Sequence, residues 1–236
     1  MKLIVCKNYD EMSKAGAAIF EKQIADKKNC VLGLATGSTP IGLYKKLAED
    51  KVDFSEVVSY NLDEYYPLSP ENDQSYRYFM DHQLFDHVNI DKKNTHVLNG
   101  LAEDPEKECA DFEKAIENAG GIDLQLLGIG KNGHIGFNEP AEELVAYTHL
   151  TGLTESTIKA NSRFFQSIDE VPTKALTAGI ATIMKAKSVV LLASGKDKHD
   201  ALTKVLSGKI TTSCPASILI AHPDCTVICD EEAYNG

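Results

Sequence analysis

The chain has 236 residues, of which 43% are hydrophobic and 25% charged, and its 24 Lys+Arg against 35 Asp+Glu leave a net charge of −11. That composition can bury a core, which excludes disorder, and the length fits one large α/β unit. An acidic chain with no basic cluster excludes a nucleic-acid or anionic-membrane surface, so an anionic ligand would be held by a local pocket of amides and a few cations. No apolar run approaches the roughly 20 residues that cross a bilayer, and the run at residues 3–5 is too short for a signal peptide. The expected location is the cytoplasm, where the six cysteines act as small buried apolar residues.

Strand and helix signals alternate along the chain. Residues 3–6 are a short apolar run, after which Met12, Ala15, Ile19 and Ile24 recur at helical spacing. Residues 31–35 read as a buried strand ending in a turn, followed by Pro40 and by Ile41, Tyr44 and Leu47 on one helix face. Residues 57–61 give a strand, 76–88 a helix and 95–98 a short strand. Asp104 and Pro105 open a helix with an N-cap and a first-turn proline, its buried face being Cys109, Phe112 and Ile116. Residues 122–127 form a strand that runs into a Gly-rich stretch, 128–136. A short helix is expected at 154–160, and a longer one from Pro172 with Leu176, Ile180, Ile183 and Met184 inward. Residues 188–193 are a fully apolar strand, then comes a helix with Ala201, Leu202, Val205 and Leu206, then strands at 218–221 and 226–229. Apolar strands separated by amphipathic helices predict a single domain over 1–236: an open, mostly parallel, doubly wound Rossmann-like α/β sheet with helices on both faces. Ligands of such sheets bind beyond the carboxyl ends of the strands.

Four post-strand segments carry candidate chemistry. Thr36, Gly37, Ser38 and Thr39 join a strand to a helix; Gly37 permits a sharp turn, Thr39 reads as N-cap and Pro40 as the first helical residue. The first free amides with these hydroxyls suit phosphate, a capped turn without a ligand being the alternative. No G-x-x-x-x-G-K-[ST] motif is present, which argues against a nucleoside triphosphate. Next, Asp63 and Glu64 are adjacent on an extended segment, so at most one easily enters a cleft, where desolvation would make it a general base. By residue type alone the segment reads as a solvated turn. Third, Gly128, Gly130 and Gly133 match G-x-G-x-x-G, but Gly133, Gly136 and Pro140 break the helix that a dinucleotide site requires. What remains is an irregular loop carrying Asn132, His134 and Glu139, an imidazole beside a carboxylate that suits proton transfer near neutrality. Fourth, Arg163, Lys196 and Lys198 are scattered cations; Lys198 near a helix start hints at a bound anion, an ordinary solvated lysine being the equal alternative. Tyr76 and Tyr78 read as helix-packing residues, and no zinc or nucleophile-elbow motif occurs.

Together, Leu34 to Pro40, Asn61 to Tyr65, Gly130 to Pro140 and Asn161 to Phe165 resemble the glucosamine-6-phosphate deaminase family over nearly the whole chain. The resemblance implies an open α/β fold with a lid-like segment at about 150–172, shared with sugar-phosphate isomerases and 6-phosphogluconolactonase. It implies conversion of glucosamine 6-phosphate and water to fructose 6-phosphate and ammonia, with no metal or organic cofactor. Asp63 would move a proton between C2 and C1, and His134 would open the pyranose ring, supported by Glu139 and Asn132. Many relatives carry Asp at position 132; Asn132 has no charge, which leaves Glu139 as the ionic partner of His134. Thr36, Gly37, Ser38, Thr39, Arg163 and Lys198 would bind the phosphate. A lactonase or isomerase on the same fold, and a non-catalytic sugar-phosphate sensor, are the rival expectations. Allosteric members use basic residues where this chain has His149 and Thr151, and a carboxyl-terminal extension beyond the equivalent of Gly236. The expectation is therefore hyperbolic kinetics, no activation by N-acetylglucosamine 6-phosphate, and a monomer.

Overall fold

A computed structural model describes residues 1–162, 165 and 167–236. The first strand, β1 (Lys2–Cys6), leads into α1 (Tyr9–Asp26), which starts where the Asn8 side chain accepts the Glu11 amide. Of the expected face of α1, Met12 and Ile24 are buried and Ala15 and Ile19 half-buried against the core, with Phe20 buried beside them. β2 (Val31–Leu34) and α2 (Ile41–Glu49) follow, then β3 (Val58–Asn61), β4 (Asp63–Tyr66), α3 (Tyr76–Gln83) and β5 (Thr95–His96). α4 (Pro105–Asn118) opens on its Asp104 cap, whose side chain accepts the Lys107 amide at 3.0 Å. β6 (Leu124–Gly128) precedes a long excursion of β7 (His149–Gly152), α5 (Glu155–Asn161) and β8 (Lys174–Thr177). The chain closes with α6 (Ile180–Met184), β9 (Ser188–Ala193), α7 (His199–Leu206), β10 (Cys225–Asp230) and α8 (Glu231–Asn235).

Among the described residues seven strands form a parallel sheet in the order β1-β10-β9-β6-β2-β3-β5. All four residues of β2 are buried, so both faces of this strand are covered, which is why it reads as an unbroken apolar run. Strand order reverses between β2 and β6: β2 winds outward through β3 to β5, whereas β6 winds the other way. That switch point leaves a crevice at the strands' carboxyl ends. The edge strand β1 is less covered, and Leu3 and Val5 stay exposed.

A second sheet is antiparallel, in the order β4-β8-β7, with Asp63 opposite Thr177 and His149 also opposite Thr177 on the other side. Here the structure departs from the sequence expectations. The helix expected from Pro172 is a strand followed, after Gly179, by the short α6. Ala175, Leu176 and Thr177 are all buried, as consecutive residues of a strand covered on both sides are. Residues 218–221, expected as a strand, lie in a 3-10 helix, Pro215–Ala221. The helix expected to reach residue 88 stops at Gln83 and continues as a 3-10 turn, Phe85–His87. All six cysteines are buried, and none is paired among the described residues. No helix among these residues is long and apolar enough to cross a membrane.

Candidate active site

At the switch point lies a cleft of about 710 Å³. Thr36, Gly37, Ser38 and Thr39 line it from the end of β2, and Asn132 and His134 from the loop after β6. Asp63 lines it from the start of β4, and Lys198 from the turn after β9. Glu139 stands behind His134 rather than on the cleft wall. Arg163 lies outside the described residues. Among those residues no three His, Cys, Asp or Glu side chains cluster as metal ligands.

Asp63 is 7% exposed. Burial, and then the neighbouring Glu64 charge, push its carboxyl up to about 8. The pair divides as an extended segment requires: Asp63 faces the cleft and Glu64, 1% exposed, faces away. Glu64 accepts the amides of Tyr65, Tyr76 and Arg77 at 2.8–2.9 Å, so it caps α3. Burial still raises it to about 7, against those amides. Leu62, just before Asp63, ties the two sheets: its amide donates to Leu34 O at 3.1 Å, and its carbonyl accepts from Ala178 at 2.7 Å. Gly136, at φ +57°, brings the Gly-rich loop against β8 and Asp63; a Cβ there would lie 2.9 Å from Thr177 Oγ1 and 3.6 Å from Asp63 Oδ2.

The loop after β6 is held by its own backbone. Gly130 N–H donates to His134 O at 3.0 Å, and Gly133 O accepts from Ala216 at 2.9 Å. Asn138 Nδ2 donates to the carbonyls of Ile135 and Ala178, both at 2.9 Å. Gly130 packs on the imidazole so closely that a Cβ would fall 2.2 Å from His134 Cε1. His134 Nδ1 sits 3.5 Å from Glu139 Oε1, an ion-pair distance at the outer limit of hydrogen bonding, and has no hydrogen-bond partner among the described residues. Among the described residues no hydrogen bond joins Asn132 to the ring. Its Oδ1 accepts the His134 backbone amide at 3.2 Å, and its Nδ2 donates to Glu139 Oε2 at 2.6 Å. Burial would push the Glu139 carboxyl up, but His134 and then the hydroxyl of Thr157 and the Asn132 amide hold it at about 2. Glu139 is therefore a fixed anion behind the imidazole.

The turn after β2 is braced from below by Tyr44, whose hydroxyl donates to Ala35 O at 2.5 Å. Tyr9 braces its flank, donating to Ser38 O at 3.1 Å and accepting the Gly42 amide at 2.8 Å. Gly37 has φ +95°, a left-handed conformation that makes the sharp turn its residue type permits. The cap differs by one residue: Pro40 rather than Thr39 is the N-cap of α2, and among the described residues no side chain makes a cap hydrogen bond. Across the cleft Lys198 ends a 3-10 turn that leads directly into α7. Asp230 fixes this turn by accepting the Gly195 amide at 3.0 Å and the Ser194 hydroxyl. Lys131 and Asp197 pair at 2.9 Å between the two loops, and Lys198 lines the cleft beside them, its charge also acting on Asp197.

Residues 8–228 match the family described as Glucosamine-6-phosphate isomerases/6-phosphogluconolactonase. The chain belongs to that family. A relative from Thermoanaerobacter pseudethanolicus, named glucosamine-6-phosphate deaminase, is 58% identical over 99% of this chain and 94% of its own length. A second of the same name, from Clostridium beijerinckii, is 56% identical over 100% of this chain and 99% of its own. A solved monomeric glucosamine-6-phosphate deaminase is 44% identical with a TM-score of 0.97, covering 100% of this chain and 99% of that one. The 6-phosphogluconolactonase from Trypanosoma cruzi superposes with a TM-score of 0.81 at 20% identity, covering 100% and 96%, a likeness of fold alone.

This member of the isomerase/lactonase family has cleft residues that sequence reasoning missed. Tyr76, read as a packing residue, lines the cleft with Tyr65, Phe137 and Phe165. Their rings lie 4.8–5.9 Å apart, Tyr76 parallel to Phe137, and form one aromatic wall. Thr157 is another. It occupies the third position of α5, where its amide bonds the Thr154 cap, and nothing in residue type marks its hydroxyl as facing Glu139.

Proposed function

We propose that the chain is a glucosamine-6-phosphate deaminase, forming fructose 6-phosphate and ammonia from glucosamine 6-phosphate and water. The observation that carries this reading is the meeting, in one cleft, of a desolvated carboxyl and an imidazole–carboxylate pair opposite a turn of hydroxyls and amides. The relatives at 56–58% identity that bear this name support it.

In this reading the turn at Thr36, Gly37, Ser38 and Thr39, with Lys198 and Arg163, grips the phosphate and positions the sugar. His134 takes the O1 proton and returns it to O5, opening the ring, while Glu139 stabilises the imidazolium. Asn132 orients Glu139 and the loop backbone rather than the ring itself. Asp63 removes the proton from C2 and delivers it to C1, while a proton passes from the ammonium to O1, so that C1 becomes CH2OH and an imine is left at C2. Water then adds to the imine, and ammonia leaves as the ketone forms. No metal or organic cofactor takes part.

Residues 1–236 form a single domain in this proposal, with about 150–172 as its lid, working as a cytoplasmic monomer. The solved monomeric deaminase supports the last point. The uncharged Thr151 and the His149 ring on β7 support hyperbolic kinetics without an activator. Lactone hydrolysis, the rival on this fold, needs no base lying over two adjacent carbons. A coupled assay for fructose 6-phosphate and ammonia tests the proposal. Lactone hydrolysis without ammonia release, or tight sugar-phosphate binding without turnover, would replace it.

A further inference from the structure

Glu139 is claimed from three sides. Asn132 Nδ2 holds Oε2 at 2.6 Å, while Oε1 receives both the Thr157 hydroxyl and, at 3.5 Å, the approach of His134 Nδ1. Thr157 is 6% exposed and reaches the carboxylate from α5, a different part of the chain from the Gly-rich loop. Its hydroxyl is itself directed: Thr154, the cap of α5, donates to Thr157 Oγ1 at 3.1 Å, which leaves the Thr157 proton for Glu139. A carboxylate held by one amide can still swing about that bond. Held at both oxygens, it has one orientation, and that orientation presents Oε1 to the imidazole.

Resting on the deaminase reading, we propose that Thr157 is a positioning residue for ring opening: its hydroxyl, carried by α5, locks the Glu139 carboxylate in the orientation that aims His134 at the sugar. Seating of α5 and assembly of the proton-transfer pair are then one event, so water entering beneath an unseated helix meets an unaligned imidazole. Asp63, on β4, takes no hydrogen bond from α5 among the described residues, and proton transfer between C2 and C1 does not depend on Thr157.

The test compares wild type with Thr157→Val, which keeps the shape without the hydroxyl, and Thr157→Ser, which keeps the hydroxyl. Two rates are read. One is ammonia release from glucosamine 6-phosphate, which includes ring opening. The other is exchange of the C1 hydrogen of fructose 6-phosphate with deuterated solvent, which follows from the open-chain ketose already present in solution. Thr157→Val should lower kcat for ammonia release about tenfold, the loss expected for one hydrogen bond to a charged group, with KM changed by less than about threefold. Exchange at C1 should fall by less than about twofold, and Thr157→Ser should restore kcat to within about twofold. Equal loss of both rates, unchanged ammonia release, or failure of serine to rescue would each overturn the role of Thr157. A wild-type enzyme that releases no ammonia would instead overturn the deaminase reading itself.

Discussion

Replacing Asp63 by Asn keeps the size of the side chain and removes its capacity to accept a proton. In the free enzyme, burial and then Glu64 raise the Asp63 carboxyl from 3.8 to about 8. That gap places a penalty of order 5 kcal/mol on the ionised form, so the carboxyl is mostly protonated at pH 7 before substrate arrives. An amino sugar brings an ammonium to C2, and an opposite charge within about 4–6 Å restores the carboxylate. Binding an open-chain amino-alditol phosphate at pH 7 should therefore release roughly one proton, and Asp63→Asn should release none. Titration calorimetry in two buffers of different protonation enthalpy measures the difference. Turnover by the variant should fall at least about a hundredfold while the alditol still binds. Stability follows the same linkage. The native carboxyl keeps a proton that the unfolded chain loses above about pH 4, so stability falls as pH rises from about 4 to about 8. Glu64, raised to about 7, adds to that fall, and Asp63→Asn should remove only the Asp63 share from the melting curves. Turnover within a few-fold of wild type, or equal proton release by the two proteins, would refute the reasoning.

His134→Gln should slow ammonia release while sparing most C1 exchange on fructose 6-phosphate; equal impairment of both would remove His134 from ring opening. Gly130→Ala should imitate that loss in a folded protein, because a Cβ 2.2 Å from His134 Cε1 must displace the ring; wild-type kcat in the purified variant would contradict this packing. Lys198→Ala should raise KM for glucosamine 6-phosphate about ten- to hundredfold through a lost charge-assisted contact. Unphosphorylated glucosamine, assayed in parallel, should be nearly indifferent to the change, and an equal effect on both sugars would deny a phosphate role.

Sequence alone located the crevice because its signals are local. The apolar β2 run followed by Gly37, and the glycines around His134, announce a strand end and an irregular loop without knowledge of any distant contact. It failed where identity depends on what lies across the chain. The sequence Asp63-Glu64-Tyr65-Tyr66 opens with two charges, yet it is a strand because β8 pairs with it. Leu176, Ile180 and Ile183 keep helical spacing across a boundary at Gly179, so periodicity joined a strand to a separate helix. The apolar residues 218–221 are too few to tell strand from helix, and the proline that opens the 3-10 turn lies upstream at Pro215. Thr157 was invisible for the same reason: its partner, Glu139, lies 18 residues away.

Leu62 has a mechanical consequence. One residue bonds to the large sheet through its amide and to the small sheet through its carbonyl, and Asp63 is its neighbour. The small sheet is pinned at its far edge as well, where Thr148, beside β7, donates through its amide and its hydroxyl to Glu113 of α4. Asp63 thus stands on a frame held at both edges, whereas Thr157 is carried on α5, in the connection between β7 and β8. Opening of that connection would then widen the cleft while leaving the C2–C1 base nearly still. Solvent viscosity should therefore damp capture and release of the sugar more than hydrogen exchange at carbon.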